Sequence, residues 1–173
     1  MKISKAKNLV WSVDGRKASK WTEMTKEMFG KIGEDFGFDV EGTGQKKEFL
    51  ALDQVWFKKG SDEVVLAIET ENSAYFGEII EDEFRKLLNI KSDYKILIWY
   101  KTGDITDEEM KRRMKKFHNK IKNHTKTKHE VFFIIYLDHR DNKERPAKMH
   151  WKIWTLKKEE MDDVDFKVIV KEA

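Results

Sequence analysis

The 173-residue chain contains no cysteine. That excludes disulfide staples, thiolate nucleophiles and cysteine-bound zinc together, so any metal must be held by oxygen or imidazole ligands. There is a single proline, Pro146, and no stretch rich in Gly, Ser or Pro reads as an inter-domain linker. One domain spanning residues 1–173 is expected. No apolar run approaches the roughly 20 residues of a membrane span, and the opening MKISKAKNLVWS lacks the apolar stretch of a secretory signal. A cytoplasmic protein with no membrane partner is the expectation. Charge of one sign is lacking too: 35 Lys and Arg against 32 Asp and Glu leave a formal net charge of +3. Six Trp, eleven Phe and 39% apolar residues nonetheless argue for a packed core rather than disorder.

The near-neutral total conceals an uneven distribution. Residues 106–129 hold nine Lys or Arg against three acids, a local basic surface of the kind that attracts a polyanion. Hydrophobic spacing predicts a helix over residues 22–36, with Met24, Met28, Ile32 and Phe36 on one stripe and Gly37 as its stop. Segments 38–41, 48–58 and 63–72 read as strands of a β-meander, with KKGSD as the turn between the last two. Residues 76–90 read as a helix leading into YKILIWY, a run apolar enough for a central strand covered on both faces. A basic helix over 106–123, N-capped by Thr106, buries Met110, Met114, Phe117 and Ile121. VFFIIYLDHR, MHWKIWTLK and DFKVIVK follow as strands. The predicted fold class is α/β, a mixed central sheet flanked by helices.

The strands EFLALDQVWFKK and EVVLAIETENS carry carboxylates inside apolar runs. Alternation places Phe49, Ala51, Asp53, Val55 and Phe57 on one face of the first, and Val65, Ala67, Glu69 and Glu71 on one face of the second. Carboxylates on neighbouring strands lie about 5 Å apart and repel unless a cation sits between them. Hard oxygen ligands favour a hard cation, Mg²⁺ or Mn²⁺.

With Leu52-Asp53 at a first motif, Ile68-Glu69-Thr70-Glu71 at a second, and helix-strand-strand-strand-helix-strand order around them, residues 22 to about 100 resemble the PD-(D/E)XK superfamily of restriction-endonuclease-like nucleases. The resemblance implies an αβββαβ core with extra C-terminal strands, and DNA cleavage in repair or defence against foreign DNA. It implies Asp53, Glu69 and the carbonyl of Thr70 as metal ligands. The family's first helix often adds an acid about ten residues before its closing glycine, which points to Glu27 rather than Glu34. Leu52 stands where the family has proline, and Glu71 where it usually has lysine. Some members draw the lysine from the following helix, where Lys86 is the candidate.

A bland reading stands beside each of these. Asp53, Glu69 and Glu71 could meet water at an edge, Glu71 could be a solvated strand end, and Lys86 could simply point outward. Lys111, Arg112, Arg113, Lys115, Lys116, Lys120 and Lys122 suit contacts to nucleic-acid phosphates, though charge runs often form a solvated face. His118, His124 and His129 lack the i, i+4 spacing of a metal pair and read as surface residues. Trp151 and Trp154 suit base stacking, core packing or a homodimer interface. A nuclease-derived module that binds nucleic acid or another partner without turnover is the alternative to an active enzyme.

Overall fold

The computed structural model describes residues 18–42, 50–71, 75–102, 105–124, 130–139 and 150–157. Helix α1 (Ala18–Asp35) precedes strands β1 (Asp39–Glu41), β2 (Gln54–Phe57) and β3 (Val64–Glu71). A helical stretch follows as α2 (Phe76–Glu78), a π turn (Ile79–Glu83) and α3 (Phe84–Asn89). Strand β4 (Tyr94–Thr102), helix α4 (Asp107–Asn123) and strands β5 (Val131–His139) and β6 (His150–Lys157) complete the described elements. The strands form one sheet in the order β1-β2-β3-β4-β5-β6. Its β3-β4 and β4-β5 pairs are parallel, and the β1-β2, β2-β3 and β5-β6 pairs are antiparallel. The chain is therefore mixed α/β.

The pattern of each strand explains the layers. Val55, Ala67, Leu97, Trp99, Phe132, Ile134 and Tyr136 form one face, packed against Ile79, Phe84 and Leu87 of the helical stretch and Met114, Phe117 and Ile121 of α4. Trp56, Leu66, Ile68, Ile96, Ile98, Tyr100 and Ile135 form the other, with Phe29 and Ile32 of α1 against it. YKILIWY occupies the middle of the sheet, as a run without alternation should. The KKGSD turn also forms: Lys58 N–H donates to the Glu63 carbonyl at 2.9 Å, and Gly60 takes φ +68°. Thr106 caps α4 by accepting from the Glu109 N–H at 3.2 Å, and the Met110, Met114, Phe117, Ile121 stripe is buried.

Three expectations change. The buried face of α1 is centred on Thr25, Phe29, Ile32 and Gly33, about one residue's rotation from the stripe read in the sequence, and Phe36 is 48% exposed. The cause is at Gly33, which gives the helix a close approach to the sheet that no larger residue allows. A Cβ there would lie 2.7 Å from Val40 Cγ2 and 2.8 Å from Trp56 Cε2. Helix α1 then ends in a Schellman motif, with Phe38 N–H donating to the Gly33 carbonyl at 3.0 Å and Gly37 at φ +83°. The second strand starts only at Gln54, because Leu50 and Ala51 take positive φ values of 53° and 60° and break the extended chain. The helix expected over 76–90 contains the π turn, in which Phe84 N–H donates to the Ile79 carbonyl. DFKVIVK lies outside the described residues.

Gly33→Ala is expected to lower stability by about 1–3 kcal/mol, overpacking against Trp56 outweighing the gain in helix propensity of up to about 1 kcal/mol. Urea unfolding followed by circular dichroism measures it, and an unchanged midpoint would mean that α1 does not sit this close to the sheet.

Candidate active site

The site forms where β2 begins and β3 ends. Glu69 lies on the face of β3 that α3 covers, and only 2% of it reaches solvent. Its Oε1 is buried without a hydrogen-bond partner. Burial, reinforced by the charge of Asp53, pushes its carboxyl from an ordinary 4.5 up to about 9; Lys86 opposes this, while the charge of Glu83 and a hydrogen bond with it add to the rise. Lys86 Nζ stands 3.6 Å from Glu69 Oε1, beyond hydrogen-bond reach, and is engaged by Glu83 Oε2 at 2.5 Å. Burial therefore prevails over this ion pair and favours the protonated form of Glu69 in the metal-free protein. For Lys86, burial would depress the ammonium, but the hydrogen bond to Glu83 and the charges of Glu69, Glu83 and Asp53 outweigh it and raise its pKa.

Asp53 reaches the same place by another route. It stands on the bend just before β2, so the alternation assumed for a longer strand does not govern it. Its Oδ2 accepts from the Thr70 N–H at 2.7 Å and the Thr70 hydroxyl at 2.6 Å. Its Oδ1 pairs with Lys26 Nζ of α1 at 2.8 Å. The next residue, Gln54, is 1% exposed and donates its side-chain N–H to the Lys26 carbonyl at 2.8 Å. One turn of α1 is thereby tied to the start of β2. The Thr25 and Tyr100 hydroxyls, hydrogen-bonded to each other, tie the same turn to β4. Burial raises the Tyr100 phenol pKa, the Thr25 bond opposing and the charge of Asp53 adding to it.

Of the residues expected from the sequence, Asp53, Glu69, Thr70 and Lys86 are brought together. Glu71 is half-buried at the end of β3, on the same strand face as Glu69. Glu27 is exposed on α1, and its neighbour Lys26 is the α1 residue that meets Asp53. Lys26 and Glu83 were not expected. Glu83 carried one readable signal, its i, i+3 spacing from Lys86. What brings the pair against Glu69 is a helical stretch containing a π turn, which leaves no mark in composition; such turns are frequent at functional sites. Lys26 carried no signal, because the burial that rotates α1 is set by Gly33.

The basic helix divides. Lys111, Arg112, Lys115, Lys116 and Lys122 are exposed, and Lys120 is half-buried and paired with Glu81 at 2.6 Å. Arg113 does not join them: it is 8% exposed, donates to Glu109 at 2.6 Å and lies 4.8 Å from the centroids of both Phe76 and Trp99. Its place is in the packing between α4 and β4, so it is not a surface phosphate contact. His118 is half-buried rather than a plain surface residue, and burial, with the charge of Lys122, holds its imidazole below the usual value. His129 lies outside the described residues. Trp151 and Trp154 lie on β6, in register with Leu137 and Ile134.

Whether these residues suit a divalent cation turns on the Glu69 oxygen that lacks a hydrogen bond, since a buried acceptor with no hydrogen-bond donor is where a hard cation gains most. Glu69 Oε1 fits that description. Asp53 Oδ1 fits once Lys26 withdraws. As the side chains stand, no group of three or more His, Asp or Glu among the described residues is arranged to hold a metal ion. No helix among them is long and apolar enough to cross a membrane. No protein-family model matches the chain, and no curated protein or solved structure does.

Proposed function

We propose that the chain is a metal-dependent nuclease with a restriction-endonuclease-like core, hydrolysing phosphodiester bonds of DNA. One observation carries the reading: a buried glutamic acid, Glu69, with an oxygen that accepts no hydrogen bond, sits within electrostatic reach of Asp53 and beside a lysine from the following helix. A fold gains nothing in stability from that arrangement. A cation-binding site does.

In this reading Asp53, Glu69 and the carbonyl of Thr70 hold the ion. Mg²⁺ or Mn²⁺, when bound, supplies a Lewis acid for the phosphoryl oxygen and lowers the pKa of the attacking water. Glu71 orients that water or takes its proton, which requires it within hydrogen-bond reach. Lys86, already positioned by Glu83, neutralises charge developing on the phosphorus oxygens. The exposed lysines of α4 and Arg112 hold the backbone of the nucleic acid without reading its sequence. Repair or defence against foreign DNA is the setting that such an activity suits.

The test is cleavage of single-stranded, duplex and branched DNA with Mg²⁺ or Mn²⁺ by wild type, Asp53→Ala and Glu69→Ala. Metal-dependent cleavage that falls by about a thousandfold or more in both variants is expected. A second reading is favoured by the lack, among the described residues, of a three-acid metal group and by the engagement of both Asp53 oxygens: a module that binds nucleic acid without turnover. It predicts no cleavage by any of the three proteins and binding that weakens steeply with salt.

A further inference from the structure

Asp53 holds a cation already. Lys26 Nζ sits 2.8 Å from its Oδ1, and both side chains are largely withdrawn from water, at 18% and 14% exposure. The contact is built rather than incidental. The Gln54 side chain holds the Lys26 carbonyl, and the Thr25 hydroxyl, one residue earlier, is bonded to Tyr100. The other Asp53 oxygen is taken by the backbone and side chain of Thr70. Oδ1 is thus the Asp53 oxygen left for a metal, and the ammonium stands on it.

A divalent ion and an ammonium on one carboxylate oxygen would face each other across a few ångströms, and in a partly buried site little water screens that repulsion. One must leave. We propose that Lys26 is a tethered counter-ion for Asp53 that a divalent cation displaces, so that metal entry frees this lysine beside the site for a substrate phosphate. The inference rests on the nuclease reading in requiring a metal at Asp53. The displaced lysine would stand in part for the lysine that β3 lacks, since Glu71 occupies that place.

Mn²⁺ titration of the full chain by isothermal calorimetry, wild type against Lys26→Gln, tests the displacement. Removing the competitor should tighten Mn²⁺ binding by about tenfold or more, a tenfold change being about 1.4 kcal/mol. Binding by wild type with equal or weaker binding by Lys26→Gln would overturn the inference and leave the metal site standing. No binding by either protein would overturn both. Acetylation of wild type, read at Lys26 by mass spectrometry, gives the same answer without a variant that has to fold. Labelling that rises with Mn²⁺ is expected, and labelling that stays constant or falls would overturn displacement.

Discussion

Glu69→Gln should stabilise the metal-free chain at alkaline pH. In the folded protein burial and Asp53 push the Glu69 carboxyl from 4.5 up to about 9. Below pH 4.5 the group is protonated in both states and contributes no pH dependence. Between pH 4.5 and about 9 the unfolded chain ionises there while the folded chain keeps its proton. The folded state then binds more protons, so this group makes stability fall as pH rises, by at most about 1.4 kcal/mol per pH unit. Gln cannot ionise. At pH 8 in EDTA, Glu69→Gln is therefore expected to exceed wild type by roughly 3–5 kcal/mol, with the difference vanishing near pH 4.5. Urea denaturation at several pH values measures it. A difference that does not vary with pH would mean that Glu69 ionises in the folded protein. The gain in stability should accompany a loss of cleavage, the expected relation where a functional group is held in an environment that disfavours it.

The second large effect lies at the other end of β4. Lys95 is 0% exposed, hydrogen-bonded to Glu130 and 5.0 Å from the centroid of the Phe132 ring. Burial lowers its pKa, with the Glu130 bond and charge opposing. Glu130 is itself 8% exposed, so Lys95→Ala would leave a buried carboxylate without its partner. Such a break is expected to cost about 3–5 kcal/mol. Lys95→Met combined with Glu130→Gln removes both charges and keeps most of the volume, and should recover the greater part of that loss. Thermal unfolding of the three proteins decides it. Equal destabilisation by the single and double variants would show that packing, not the unpaired charge, governs the site. Lys95 is in register with Ala67, two residues before Glu69 on β3, and its ammonium is engaged by Glu130. Cleavage by the double variant should therefore persist at temperatures where it is folded.

Much of this architecture was legible because it depends on local pattern. The apolar run of β4, interrupted only by Lys95, placed it centrally, and the Met110 to Ile121 stripe of α4 met the sheet as spaced. Asp53 and Glu69 stood out because a carboxylate inside an apolar strand needs an explanation. What could not be read depended on contacts between distant segments. The rotation of α1 follows from a glycine that meets Trp56 across 23 positions of sequence, and it is this rotation that turns Lys26 rather than Glu27 to Asp53. The positive φ angles at Leu50 and Ala51 shortened β2, and no glycine announced them. Arg113 looked like its basic neighbours until its position against Phe76 and Trp99 set it apart.

The proposed site requires that Glu69, a buried and protonated acid, ionise to receive a divalent cation. Ligands must be deprotonated to bind, so metal binding releases protons. Calorimetric titration with Mn²⁺ at pH 7.5, repeated in buffers of different ionisation enthalpy, counts them. Release of about one proton per ion bound is expected from wild type and none from Glu69→Gln. Mn²⁺ binding to wild type without proton release, or no binding at all, would contradict it.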